Sequence, residues 1–272
     1  GRLKADGVAD AINRLLQNLV IKCAKSEGVR DYYHVGVIGY GSKVGPALSG
    51  ELSDRTLVPI SELAEHPQRI EERTRKMDDG AGGLVDQTVR FPVWFDAASK
   101  GGTPMCEALA LAERTVRDWI AQHPSSFPPI VTNISDGEST DGDPTTAAQR
   151  IQGLTTDDGA ALLFNIHLSS NRAAPVEFPD SDAQLADRYS RLLFGMSSDL
   201  PSHIQQAARS AARFIYPNSM TAAIARSSSS TMKARTRPMA RDPVSTCRRS
   251  KCARAIFPNL AAPFTIRSPS IR

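Results

Sequence analysis

Residues 160–168, AALLFNIHL, are apolar at successive positions rather than at alternate ones. A strand turns successive side chains to opposite faces, so such a run is stable only where both faces are covered. Residues 129–135, PIVTNIS, and 33–40, YHVGVIGY, have the same short, β-branched character. Around them, apolar residues recur at helical spacing. Residues 5–23 place Val8, Ile12, Leu15, Leu16, Leu19, Val20 and Cys23 on one stripe. Residues 104–121 do the same with Met105, Leu109, Ala112, Val116, Trp119 and Ile120. Further helices are expected at 144–151, 183–194 and 201–212, and a brief edge strand at 56–60. The polar sequence from there to Arg90, with Gly80, Gly82 and Gly83 in it, reads as loop or short helices. Apolar strands alternating with helices predict an α/β fold, a largely parallel sheet with helices on both faces.

Composition sets the limits of this reading. With 272 residues, 40% of them hydrophobic, the chain can bury a substantial core. No apolar run approaches the roughly 20 residues that span a bilayer, and GRLKADGVAD lacks the apolar stretch of a signal peptide. A cytoplasmic protein that does not engage membranes is expected. Of the four cysteines, Cys247 and Cys252 have no second pair to complete a zinc site, and Cys23 and Cys106 read as small core hydrophobes.

The net charge of +4 joins two unlike parts. Residues 226–272 carry 11 Lys and Arg and one acid, Asp242, a net of +10; the remainder carries 22 Lys and Arg against 28 Asp and Glu, a net of −6. The tail has no helical or strand period, scattered prolines and a serine run at 227–230, so a disordered segment is expected beyond a folded domain at 1–225. With little beyond Phe257 and Phe264 as stacking platforms, only nonspecific contact with nucleic acid phosphates is expected of it. The tail reads most simply as an unselected C-terminus, such as a shifted reading frame gives.

The chemistry gathers after the strand at 129–135. IVTNISDGESTDGDP runs from an apolar strand into Asp136, Glu138, Asp141 and Asp143. At the carboxyl edge of a sheet, ligands meet loops and helix N-termini, and Asp136 stands one residue past the strand. A second loop, KGGTPM at 100–105, leads into the clearest helix, with Thr103 at the N-cap position and Pro104 at N1. Glu138, Asp141 and Asp143 read as a solvated rim that favours the N-terminus of the next helix. Rival motifs fail: an EF-hand beginning at Asp136 would need Gly and Glu where Asp141 and Ala147 stand. GESTD misses a nucleophile elbow at its final residue. Residues 39–45, GYGSKVG, have one residue too many for a dinucleotide loop, and the five histidines show no ligand spacing.

Taken together, the opening amphipathic helix, the VGVIGYG strand, the GGTPM loop and helix, and the apolar strand ending in Asp136-Gly137 resemble a von Willebrand factor type A domain over about residues 1–215. The small bacterial intracellular members are the most similar. The resemblance implies a Rossmann-like three-layer fold with a metal-ion-dependent adhesion site. It assigns the site's threonine to Thr103 and the aspartate after the fourth strand to Asp136. It implies a Mg2+ cofactor, with Mn2+ or Ca2+ as substitutes, and oxygen donors of this kind suit so hard an ion. The family's Asp-x-Ser-x-Ser, carried after a first strand, is not found before the opening helix, so the resemblance reads the chain as a fragment with a partial site. The function it implies is non-enzymatic, the binding of a protein partner through the partner's Asp or Glu. Two alternatives stand beside it: a metal-dependent hydrolase using Asp136 and Glu138 with Asp141 as base, and a structural domain without metal.

Overall fold

The stripe read at residues 5–23 forms helix α1 (Lys4–Cys23) in a computed structural model that describes residues 4–78, 80, 83–98, 101–168, 176, 178–185, 187–201 and 222–224. The chain divides into two compact units, Gly1–Gly101 and Gly102–Arg272. The elements form a mixed α/β structure in which one strand pair is parallel and the other strand pairs among the described residues are antiparallel.

In the first unit, α1 buries Leu16, Leu19 and Cys23 as expected, but its inner face centres on Ala9 and Asn13, and Val8, Ile12 and Leu15 are only half-buried. Asn13 explains the rotation. Its amide nitrogen donates to the Ala9 and Phe95 carbonyls at 2.9 and 3.0 Å, and its oxygen accepts the Trp94 amide at 2.8 Å. A buried amide so fully bonded pins the helix to the chain at 94–95.

After α1 comes the hairpin β1 (Ala24–Lys25) and β2 (Gly28–Val29). The single buried strand expected at 33–40 is instead two short strands in separate antiparallel ribbons. β3 (His34–Val35) pairs with β6 (Val58–Pro59), and β4 (Ile38–Tyr40) pairs with β5 (Val44–Pro46). Gly36 marks the break. A Cβ there would stand 2.1 Å from the Thr56 carbonyl oxygen, so the chain passes backbone to backbone at this point. Strand β6 confirms the edge strand read at 56–60, and helix α2 (Ile60–Glu65) follows it, burying Ile60 and Leu63.

The polar stretch read as loop or short helices forms the longest ribbon: β7 (Arg69–Asp78) against β8 (Leu84–Val93), in register from Arg69↔Val93 to Asp78↔Leu84. Three of its charges, Arg69, Glu71 and Arg73, are paired rather than merely solvated. Arg69 bridges Glu71 and Asp96, and Arg73 bridges Glu71 and Asp10 of α1 while its guanidinium lies 3.7 Å over the Phe91 ring.

In the second unit the strands expected at 129–135 and 160–168 and the helices expected at 104–121 and 144–151 form, whereas the helix expected at 183–194 begins only at Arg188. The unit contains α3 (Met105–Gln122), β9 (Ile130–Ser135), α4 (Thr145–Gln152), the hairpin β10 (Thr155–Thr156) and β11 (Gly159–Ala160), β12 (Leu162–His167), α5 (Arg188–Gly195) and β13 (Ala222–Ile224). The sheet order is β13-β12-β9, with β9 and β12 parallel from Leu162↔Ile130 to His167↔Ser135. All six residues of β12 are buried, as a strand covered on both faces must be. Leu162 and Phe164 pack with Leu200, Ile130 and Phe178. On the alternate positions, the Asn165 amide nitrogen donates to the Leu193 carbonyl and to Ser197 beside α5, and its oxygen accepts from Asn133 of β9 at 2.9 Å. The helix expected at 201–212 and the tail at 226–272 lie outside the described residues. Among the described residues, no helix is long and apolar enough to cross a membrane.

Candidate functional site

The site is built where β9 and β12 end, within the second unit. Parallel pairing puts their last residues, Ser135 and His167, opposite each other. The chain leaves β9 through Asp136 and Gly137, and Ser135 fixes that exit. Its hydroxyl donates to the Gly137 carbonyl at 2.8 Å and accepts the Gly137 amide at 3.3 Å. It also accepts the Tyr189 phenol of α5 at 3.0 Å.

The loop before α3 lies against the loop after β9. The Thr103 amide donates to the Thr140 hydroxyl and the Thr140 amide to the Thr103 carbonyl, each at 2.9 Å. Gly102 permits the approach, since a Cβ there would stand 2.7 Å from the Thr140 hydroxyl oxygen. The Thr103 hydroxyl oxygen in turn lies 3.4 Å from where a Cβ on Gly137 would be. The fold therefore brings Thr103 against Gly137, the residue that follows Asp136.

Thr103 does not cap α3. The helix begins at Met105 without a side-chain cap from its own loop, and Asp141 supplies one from the loop after β9. The Asp141 carboxylate accepts the Cys106 amide at 3.0 Å and the Glu107 amide at 2.9 Å. The Ser139 hydroxyl adds a third bond at 2.8 Å. Burial raises the Asp141 carboxyl, but the Glu107 and Cys106 amides and the Ser139 hydroxyl outweigh it and hold the group below the usual carboxylate range. Asp143 accepts the Thr145 amide at 2.9 Å at the start of α4, and the Thr145 hydroxyl together with this amide lowers its carboxyl too. Of the four acids after β9, two are thus spent on helix N-termini. Asp136 and Glu138 are exposed and accept no hydrogen bond from the described residues.

Neighbouring groups complete the edge. The Tyr189 ring meets the His167 ring edge-on, centroids 5.1 Å apart. Burial pushes the Tyr189 phenol up, and the Glu138 and Asp136 carboxylates push it the same way, so their field reaches this side chain. Cys106, read as a core residue, is half-buried with its sulfur 3.8 Å from the Ser139 hydroxyl, and burial pushes its thiol up. Sequence reasoning missed Tyr189, its bond to Ser135 and the capping role of Asp141, because these contacts join residues far apart in sequence; the bonds of Ser135 to Gly137, two residues on, are a local turn that could have been read.

Among the described residues, no three or more His, Cys, Asp or Glu side chains are grouped to hold a metal ion. What the edge offers is the exposed carboxylates of Asp136 and Glu138, with the Thr103 hydroxyl against the intervening Gly137. In kind, such oxygen donors suit a hard cation that keeps most of its water. Comparison with models of known families, with characterised proteins and with solved structures returns no match.

Proposed function

We propose that the chain is a von Willebrand factor type A-like interaction module, Rossmann-like in its sheet-and-helix core, working in the cytoplasm and without catalytic activity. Thr103 and Asp136 would hold a Mg2+, and the ion, when bound, supplies an open coordination position for a partner's Asp or Glu. The observation that carries this reading is the approach of the Thr103 hydroxyl to the Asp136-Gly137 turn, from a loop whose capping duty Asp141 has taken over. A threonine relieved of capping keeps its hydroxyl oxygen for another ligand.

The same geometry disfavours the hydrolase alternative. A general base works best with a pKa near the operating pH and a free lone pair, whereas the Asp141 carboxyl is lowered and bonded by two amides and a hydroxyl. The structural alternative, a domain without metal, differs in one measurable property. Calorimetric titration with Mg2+ should show binding by the parent protein, loss of detectable binding in Asp136→Ala, roughly tenfold weakening in Thr103→Ala, and little change in Asp143→Ala. Equal affinity in Asp136→Ala and the parent would remove the site assignment and leave Asp136 a turn residue.

A further inference from the structure

We propose that Tyr189, acting through the Ser135 hydroxyl, is the positioning residue for Asp136, holding the exit from β9 in the one conformation that presents this carboxylate beside Thr103.

Ser135 is buried and closes β9. A hydroxyl has one proton to give and two lone pairs to offer. Here the proton goes to the Gly137 carbonyl, and the lone pairs receive the Gly137 amide and the Tyr189 phenol. Asp136 stands between two residues tied to each other, so its backbone has little freedom. Tyr189 decides the arrangement. Its O–H occupies a lone pair that would otherwise be open, and it obliges Ser135 to turn its own proton toward the backbone of the turn. Tyr189 is itself held firmly, edge-on to His167 and in the first turn of α5. Asp187 caps that helix by accepting the Ser190 amide at 2.7 Å. The phenol is pushed up by burial and by the carboxylates, which keeps it a donor well into the alkaline range.

The consequence for binding rests on the metal-site reading above, while the effect on the turn does not. Three variants, Tyr189→Phe, Ser135→Ala and the double variant, are therefore compared with the parent by amide hydrogen exchange and by Mg2+ calorimetry. In Tyr189→Phe the Gly137 amide should exchange about tenfold faster, as expected for weakening one hydrogen bond of a network. The Cys106 and Glu107 amides, held by Asp141, should keep their parent rates. The Mg2+ Kd should rise about five- to tenfold. Because Tyr189 acts only through Ser135, the double variant should be no worse than Ser135→Ala alone.

An unchanged Gly137 rate in Tyr189→Phe overturns the proposal. So does acceleration shared equally by the Cys106 and Glu107 amides, which would mark Tyr189 as a general packing residue, and so do additive losses in the double variant. If the parent binds no Mg2+, the metal-site reading fails, and the Gly137 exchange pattern still decides whether Tyr189 positions the turn.

Discussion

At the scale of single residues, the two loops of the candidate site exchange the roles that sequence suggests for them. Thr103 stands where an N-cap belongs, yet the cap is Asp141, 35 residues from the first amide it binds. Local pattern cannot reveal this, since a cap from another loop is a product of folding. The exchange is testable. Asp141→Ala removes both amide bonds of the α3 cap and should cost about 1–2 kcal/mol in unfolding free energy. Thr103→Ala should stay within about 0.5 kcal/mol of the parent, because it deletes no cap. Urea unfolding of the two variants checks this, and a larger loss from Thr103→Ala would return the capping role to Thr103. Asp136 was legible as a site candidate because the end of an apolar strand locates the sheet edge; Tyr189 and its bond to Ser135 were not, because that bond joins residues 54 apart.

At the scale of elements, legibility follows burial. β9, β12, α3 and α4 were read within two residues at each end, since buried segments must show their period in apolar residues. The β7–β8 ribbon was missed because it is mostly exposed and charged, and its order comes from cross-strand pairing and from Arg73 bound to α1. Its turn shows one local signal in Gly80, at φ +77°, whose amide is bonded to the Asp78 carboxylate. Gly80→Ala should destabilise the ribbon by about 1 kcal/mol, since the conformation rather than space excludes a side chain. Faster amide exchange within β7 and β8 alone would report it.

A different device joins α3 to α4. Glu113 is buried and bonded to Arg117 of its own helix and to Arg150 of α4 at 3.0 Å. Glu113→Ala should cost about 1–3 kcal/mol. Arg150→Ala should cost less, because Arg117 still satisfies the carboxylate. Denaturant midpoints of the two variants rank them, and the opposite order would show that Glu113 contributes packing rather than charge.

At the scale of the molecule, the two units hold several of their carboxylates in different ways, although Glu113 of the second is also held by arginines. In the first, Glu71 and Asp96 are lowered by hydrogen bonds from arginines, Arg73 and Arg69 for Glu71 and Arg69 for Asp96. In the second, burial raises Asp141 and Asp187, but bonds to backbone amides bring both below the usual range, and Thr145 lowers Asp143. Every one of these carboxyls is more acidic folded than unfolded. The stability they contribute is therefore full above the unfolded values near about pH 4 and is lost as the pH falls through the lowered folded values. Both units should lose stability in acid, but their response to salt should differ. Exposed ion pairs are screened once the Debye length falls to about 4 Å at 0.5 M salt, whereas short bonds from amides to a carboxylate keep most of their strength. Each unit carries one of the chain's two tryptophans, Trp94 and Trp119. Trp94 is buried and donates to the Leu63 carbonyl at 2.6 Å, and Trp119 stacks on His123. Trp119→Phe and Trp94→Phe proteins thus report each unit separately in urea titrations at pH 7. Adding 0.5 M NaCl should lower the midpoint seen by Trp94 more than that seen by Trp119. Equal salt sensitivity at the two tryptophans would show that the arginine network of the first unit contributes no more to its stability than the capped carboxylates do to that of the second.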